Sequence, residues 1–140
     1  MLLKPKKRTF KRHHLYKKPT TNKLKTHLVY ANYALVARQS SLLNAAQLHS
    51  AIMTVKRVLK RKGKLWIRVF PHIPVTKKPL EVRMGKGKGP VDHWITKVAV
   101  GSVLVELQCD SPLLAKAALT SISKKLPFKT AFIHHPSKKN

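Results

Sequence analysis

The stretch NAAQLHSAIMTVKRVLKRKGKLWIRVF, residues 44–70, predicts a helix, a stop and a strand in direct succession. The apolar residues that recur every three or four positions, as on one face of a helix, are Ala45, Leu48, Ile52, Val55 and Leu59. Asn44, followed three residues later by Gln47, matches the capping box that begins a helix, and Gly63 is a residue type that ends one. The chain therefore combines a helix and a strand within one short span.

Residues 65–70 alternate as strand residues do, with Leu65, Ile67 and Val69 on one face and with Trp66, Arg68 and Phe70 on the other. Further segments with strand-like sequences are LEVRM (80–84), VDHWITKVAV (91–100), SVLVELQ (102–108) and FKTAFI (128–133). Only Gly101 separates the third of these five strands from the fourth, and so short a link predicts an antiparallel hairpin. FPHIPVTKKP (70–79) has three prolines and predicts a loop, because proline removes a donor from a strand ladder.

DSPLLAKAALTSISKKL, residues 110–126, predicts a second helix. Ser111 is a typical N-cap, and Pro112 suits the first helical position because its ring already holds a helical φ. The residues that share one face of this helix are Leu114, Ala118, Ile122 and Leu126.

The charge of the chain indicates a polyanionic partner. Among 140 residues, 30 Lys and Arg face four Asp and Glu, which gives a net charge of +26 and a pI near 11. A protein with this imbalance repels itself on compaction unless an anion neutralises it, so nucleic acid is the leading partner and an anionic membrane surface the second. No apolar run approaches the roughly 18 residues of a spanning helix.

The distribution of charge predicts three parts: an extended basic arm over residues 1–40, one domain over residues 41–134 and a basic tail over residues 135–140. Residues 1–30 hold ten Lys or Arg and no acid, so the arm cannot bury enough apolar surface to order itself without RNA. Its predicted RNA contacts are Lys4, Lys6, Lys7, Arg8, Lys11 and Arg12. A second predicted RNA-binding set, gathered where the first helix ends and the next strand begins, is Arg57, Arg61, Lys64 and Arg68.

RMGKGKGP, residues 83–90, alternates glycine with lysine and predicts a loop that approaches phosphates closely. The spacing of its glycines differs from that of the dinucleotide fingerprint, and Pro90 leads into a strand rather than a helix. No Lys-Ser or Lys-Thr follows as in a P-loop, so we expect no nucleotide pocket. A solubilising hairpin tip is the alternative.

The sequence offers little for catalysis or metal binding. The doublets His13-His14 and His134-His135 lack cysteine or carboxylate at zinc-ligand spacing, so we expect RNA or solvent contacts there and no metal or cofactor. Asp92 and His93 are neighbours in a predicted strand and should point to opposite faces, which argues against an acid-base pair. The single cysteine, Cys109, is expected to be a small buried hydrophobe. We therefore predict that the chain is not an enzyme.

KGKLWIRVFPHIPVTKKPLEVRMGKGKGPVDHWITKV, residues 62–98, resembles the central block of the large-subunit ribosomal protein L-sixteen family. LLKPKKRTFKR (2–12) is similar to the start of the family sequence, and KKLPFKTAFI (124–133) is similar to its closing strand. The resemblance spans nearly the whole chain, and its most specific parts are residues 63–71 and 83–89.

The resemblance implies an α+β fold in which two helices pack on a mainly antiparallel sheet. It also implies a structural protein that binds large-subunit ribosomal RNA beside the aminoacyl-tRNA site, has neighbouring ribosomal proteins as partners and forms no homo-oligomer. In the family the glycine-lysine loop reaches toward the peptidyl transferase region and the acceptor arms of tRNA. The residues of this chain that match that loop are Arg83, Met84, Gly85, Lys86, Gly87, Lys88 and Gly89.

The chain departs from the family pattern in two places. Residues 16–41 contain no glycine although relatives are glycine-rich there, and His49 and Ser50 replace arginines near the start of the first helix. This drift in a lysine-heavy chain favours a mitochondrial ribosome, and a family-like start at Met1 predicts synthesis inside the organelle. A plastid or bacterial origin is the alternative. Two other classes of protein stay open, a free RNA chaperone or membrane-surface binder and an RNA-modifying or nucleotide-using enzyme.

Overall fold

The computed structural model describes residues 3–7, 13–14 and 27–134. The predicted arm contacts Arg8, Lys11 and Arg12, together with His135 and the tail 135–140, lie outside the described residues. The elements in chain order are β1 (Tyr33–Ala37), β2 (Ser41–Asn44), α1 (Ala45–Leu59), β3 (Lys64–Ile67), β4 (Ile73–Thr76), β5 (Val91–Val98), β6 (Val103–Gln108), α2 (Pro112–Ser123) and β7 (Thr130–His134).

The strands form two antiparallel sheets. One has four strands in the order β3-β6-β1-β7, and the other has three in the order β2-β5-β4. Each recorded strand pair is antiparallel. The predicted α+β class with two helices is confirmed, but the strands divide between two sheets rather than forming one.

The core lies where the two helices meet each other and the sheets. Helix residues that are almost fully buried there include Leu48, Val55, Leu59, Ala115, Leu119 and Ile122. They pack with strand residues from both sheets, among them Leu35, Leu43, Val98, Leu104 and Leu107. A single apolar cluster therefore holds both sheets and both helices together.

Helix α1 begins as its sequence predicts. The Asn44 side chain accepts from the backbone N–H of Ala46 at 3.2 Å, and the Gln47 side chain accepts from the Asn44 N–H at 3.1 Å. The helix ends at Leu59, earlier than the predicted stop, because Lys60 takes a left-handed conformation with a φ of 43°. Gly63 serves a different purpose, since a Cβ there would lie 2.7 Å from the Gln108 carbonyl oxygen. Only glycine lets the chain pass this close to the end of β6.

Helix α2 also starts where the sequence predicts, with Pro112 in the first turn and Ser111 as the N-cap. The Ser111 side chain accepts from the Leu114 N–H at 3.5 Å. The last strand, β7, confirms the prediction for residues 128–133 apart from a shift of its bounds to Thr130–His134.

The predicted hairpin between residues 91–100 and 102–108 is wrong. Both strands exist, but β5 pairs with β2 and β4, whereas β6 pairs with β1 and β3. Gly101 turns the chain with a φ of 84° and donates its N–H to the Ala37 carbonyl at 2.8 Å. The Ala37 N–H in turn donates to Ser102 at 3.0 Å. The link is therefore tied to the end of β1, and the chain passes from one sheet to the other instead of folding back.

One loop prediction and one further strand prediction are also wrong. Residues 73–76 form β4 although they include Pro74. β4 is an edge strand of its sheet, and proline is tolerated there because an N–H that points away from the sheet is not needed for pairing. Residues 80–84 form no strand. Leu80 and Met84 are fully exposed, and the Val82 N–H closes a turn onto the Pro79 carbonyl. The residues alternate as in a strand, but this segment has no neighbouring strand with which to pair.

The predicted arm also extends too far along the chain. Residues 33–37, assigned to the arm, form β1, which lies inside the four-stranded sheet and is buried along its whole length. Leu3, near the start of the predicted arm, packs in the core cluster and is only 7% exposed. Burial of apolar side chains thus holds parts of residues 1–40 to the domain.

Candidate nucleic-acid interface

Residues 77–90 form an exposed loop that is closed at its base. The Lys77 N–H donates to the Pro90 carbonyl at 3.1 Å, and the Lys78 ammonium group donates to the Gly85 carbonyl inside the loop. Between these anchors, Arg83, Met84 and residues 85–88 are exposed. The predicted loop residues are thus brought together on one projecting segment.

The three glycines of this loop have different roles. Gly85 and Gly87 have positive φ angles of 109° and 80°, and a Cβ on either would meet no atom within 4 Å. Gly89 lies at the base, where a Cβ would come within 2.5 Å of the Lys77 carbonyl oxygen. The tip therefore needs glycine for its backbone conformation, while the base needs it for a close approach.

Among the described residues, Lys88 joins the loop to the N-terminal segment. Lys88 donates from its ammonium group to the His13 carbonyl at 3.0 Å. His13 and His14 are both exposed. Lys4, Lys6 and Lys7, which belong to the predicted arm contacts, are exposed as well.

The end of α1 carries a dense patch of positive charge. Arg57, Arg61 and Lys64 are exposed, as predicted for an anion-binding face. Lys60 and Arg61 both have positive φ angles, so the chain reverses sharply between α1 and β3. The crevice beneath this turn has apolar walls and basic rims; its lining is Lys56, Leu59, Arg61, Gly63 and Leu65.

Arg68, the fourth member of the predicted set, is already paired within the protein. Its Nη1 donates to Oε1 of Glu106 at 2.6 Å, and the Glu106 side chain is fully buried. The other carboxylate oxygen accepts from three consecutive backbone N–H groups, those of Val29, Tyr30 and Ala31, at 2.7 to 3.1 Å. Arg68 is therefore a paired charge rather than a free one.

Glu106 is the residue of this region whose role the sequence reasoning missed. It lies in SVLVELQ as the one acid of an apolar strand, and such a residue needs buried partners. That isolation was a usable signal, but the partners come from residues 29–31 and 68, which no local pattern connects to β6.

An aromatic cluster lies beside this pair. The rings of Tyr30 and Trp66 are nearly parallel, with an angle of 11° between planes and 6.0 Å between centroids. The Arg68 guanidinium carbon lies 5.4 Å from the centre of the Tyr30 ring. Trp66 is directly opposite Glu106 in the pairing of β3 with β6, so these groups share one face of the sheet.

Comparison with known proteins decides the family. A model of the family "Ribosomal protein L16p/L10e" matches residues 5–133. This chain belongs to that family. It is 41% identical over 132 residues to the large ribosomal subunit protein uL16 of Psychrobacter arcticus, covering 94% of this chain and 96% of the relative. The uL16 protein of Staphylococcus haemolyticus is 42% identical over 132 residues, with 94% and 92% coverage, and that of Thioalkalivibrio sulfidiphilus is 49% identical over 104 residues, with 74% and 76% coverage.

In this member of the L16p/L10e family, one histidine prediction needs correction. His93 Nδ1 and Asp92 Oδ2 lie 2.8 Å apart, although neighbours in a strand were expected to diverge. Both side chains are at the surface, 38% and 49% exposed, where the strand backbone does not keep their ends apart. The described ranges contain no group of three or more His, Cys, Asp or Glu that could hold a metal ion.

Cys109 differs modestly from its predicted state. It is half-buried rather than fully buried, and its Sγ donates to the Ser111 carbonyl at 3.2 Å. Burial raises the pKa of the Cys109 thiol above its ordinary value, and this effect exceeds the opposing hydrogen bond to Ser111. Among the helices of the described residues, none has the length and apolar character that a membrane crossing requires.

Proposed function

We propose that this protein is a structural constituent of the large ribosomal subunit, where it binds large-subunit ribosomal RNA and performs no catalysis. The observation that carries the proposal is membership of the L16p/L10e family along residues 5–133. The net charge of +26 supports an RNA partner, since phosphates neutralise the repulsion that such a charge creates. Neighbouring ribosomal proteins are the second class of partner.

The proposed RNA anchors are the basic residues of the N-terminal segment and of the end of α1. Phosphate contacts by lysine and arginine position a protein on RNA without reading its sequence. The anchors are Lys4, Lys6, Lys7, Arg8, Lys11, Arg12, Arg57, Arg61 and Lys64. Arg68 was predicted with them, but its charge is paired with Glu106 within the protein.

The loop is proposed to act on a different partner, the tRNA at the aminoacyl site. Support comes from its exposure and from the two tip glycines, which keep the backbone narrow enough to pass between phosphate groups. Arg83, Lys86 and Lys88 would neutralise the charge of the RNA that the loop approaches.

The test separates anchoring from action on tRNA. Large subunits are purified with wild-type protein, with Gly87→Val, or with the double change Lys86→Ala and Lys88→Ala. The control is Lys116→Ala with Lys124→Ala, two exposed residues in α2 and at its C-cap. We expect near-normal occupancy of the protein in each subunit, with slower single-turnover peptide-bond formation in the loop variants alone. Loss of occupancy in the loop variants, or an unchanged rate at full occupancy, contradicts the division of roles.

Co-sedimentation tests the alternatives to a ribosomal role. A constituent of the subunit remains with it through a moderate-salt wash, because many phosphate contacts act together. A free RNA chaperone leaves the particle in the wash, and a membrane-surface binder pellets with lipid.

We also propose a mitochondrial location for the ribosome that contains this chain. The relatives named above are bacterial. The proposal therefore rests on the sequence, on its lysine-rich composition and on His49 and Ser50, which stand where the family pattern that the sequence resembles has arginine. Recovery of the protein with ribosomes from a purified matrix fraction supports it, and recovery with plastid or bacterial ribosomes contradicts it.

A further inference from the structure

Tyr30 combines exposure with a fixed position. The residue is 54% exposed, while its backbone N–H donates to the buried Glu106 at 2.7 Å. Trp66 stacks against the ring in a nearly parallel orientation. An exposed aromatic ring held in this way is ready to accept a further flat partner, because little conformational freedom is lost on contact.

Arg68 adds a second flat group at the same place. Glu106 holds its guanidinium from one side at 2.6 Å, and the guanidinium carbon lies 5.4 Å from the Tyr30 ring centre. The charge is already balanced, so Arg68 is poorly placed to serve as a simple phosphate ligand. The Arg68 side chain remains 30% exposed, and its planar guanidinium suits stacking.

We propose that Tyr30, Trp66 and Arg68 form a stacking platform for an unpaired nucleobase of RNA. The proposal deepens the RNA-binding function and rests on it. A base offers a π-face to the aromatic rings while its own phosphates face a strongly basic protein, so shape and charge both match.

The alternative is that Tyr30 only shields the Glu106 cluster from water. The two roles have different requirements. Shielding needs an apolar side chain of sufficient size, which leucine provides, whereas stacking needs a flat ring, which phenylalanine preserves and leucine does not. Each variant keeps the backbone N–H that reaches Glu106.

The experiment measures binding of the full-length protein to a mixed-sequence single-stranded RNA decamer and to an abasic ribose-phosphate decamer of equal charge. We expect wild type and Tyr30→Phe to prefer the RNA with bases by about tenfold, as stacking of one base allows. Tyr30→Leu should lose this preference and bind both oligomers as wild type binds the abasic one. The double change Lys86→Ala with Lys88→Ala should weaken binding to both oligomers equally and leave the preference for bases unchanged.

Several results overturn the proposal. The proposal fails if wild type binds both oligomers equally, if Tyr30→Leu keeps the preference for bases, or if Tyr30→Phe loses it. Weak, salt-independent binding of wild type to both oligomers would instead contradict the RNA-binding function itself. Circular dichroism checks that Tyr30→Leu is folded. If it is not, crosslinking of wild type to 5-iodouridine RNA decides, because a crosslink at Tyr30 or Trp66 is expected and its absence overturns the platform.

Discussion

Arg68, the residue after β3, and Glu106 in β6 form an ion pair, with Nη1 2.6 Å from Oε1, although 38 positions separate them in the chain. The same carboxylate binds the backbone of residues 29–31 through its other oxygen. One buried side chain therefore joins the segment before β1, the strand β6 and the end of β3. A group buried so completely is stable only while these partners remain in place.

Glu106→Gln should lower the free energy of unfolding by about 3 kcal/mol, because hydrogen bonds to a charged group are lost and the amide N–H₂ faces other donors. Urea unfolding of the full chain measures the effect. Glu81→Gln, at an exposed acid of the loop, is the matched control and should change stability by less than about 0.5 kcal/mol. Equal stability of both variants would show that the buried cluster contributes nothing.

The salt dependence of RNA binding should separate free charges from the paired one. Arg57→Ala, Arg61→Ala and Lys64→Ala should each reduce the slope of log K against log salt by about one unit, because each removes one phosphate contact. Arg68→Met should reduce it much less, since Glu106 already balances that charge. A full-unit loss for Arg68→Met, with the fold intact, would mean that this guanidinium contacts phosphate after all.

Gly89→Ala should open the base of the loop, whereas Gly87→Ala should not. A methyl group at residue 89 would collide with the Lys77 backbone, and relieving this overlap should raise amide exchange at Lys77 about tenfold. The Lys77 amide is a good reporter because it donates to Pro90 across the base. Equal exchange rates in the two variants would contradict the close approach.

The thiol of Cys109 should stabilise the fold more at neutral than at alkaline pH. Burial raises its pKa in the folded protein, so the unfolded chain releases this proton first as the pH rises. The contribution is complete below the ordinary thiol pKa and is lost as the pH passes the raised value. The free energy of unfolding is measured at several pH values for wild type and for Cys109→Ser, since both variants share the same lysines. If the two curves of stability against pH run parallel, Cys109 makes no pH-dependent contribution.

Local patterns predicted the features that depend only on neighbouring residues. The capping box of Asn44 and Gln47 and the Ser111-Pro112 start of α2 are complete within four residues, so the sequence was sufficient for both. The glycine-lysine loop was also predictable, because few other structures tolerate its composition. The basic patch at the end of α1 followed from helix periodicity.

Strand partners could not be predicted in this way. Residues 91–100 and 102–108 were correctly identified as strands and wrongly paired, because hydrogen bonds from Gly101 to the end of β1 direct the chain into the other sheet. Residues 80–84 have the alternation of a strand but no neighbour, and Pro74 lies in a strand because β4 is at an edge.

The sequence by itself determined the two helices, their caps, the positive charge and the exposed glycine-lysine loop, since each depends on residues close together in the chain. Tertiary structure alone decided the division into two sheets, the burial of Glu106 and the pairing that removes Arg68 from the free charges. Tyr30 joins Trp66 and Arg68 for the same reason. These contacts bring distant parts of the chain together, and packing rather than local propensity selects them.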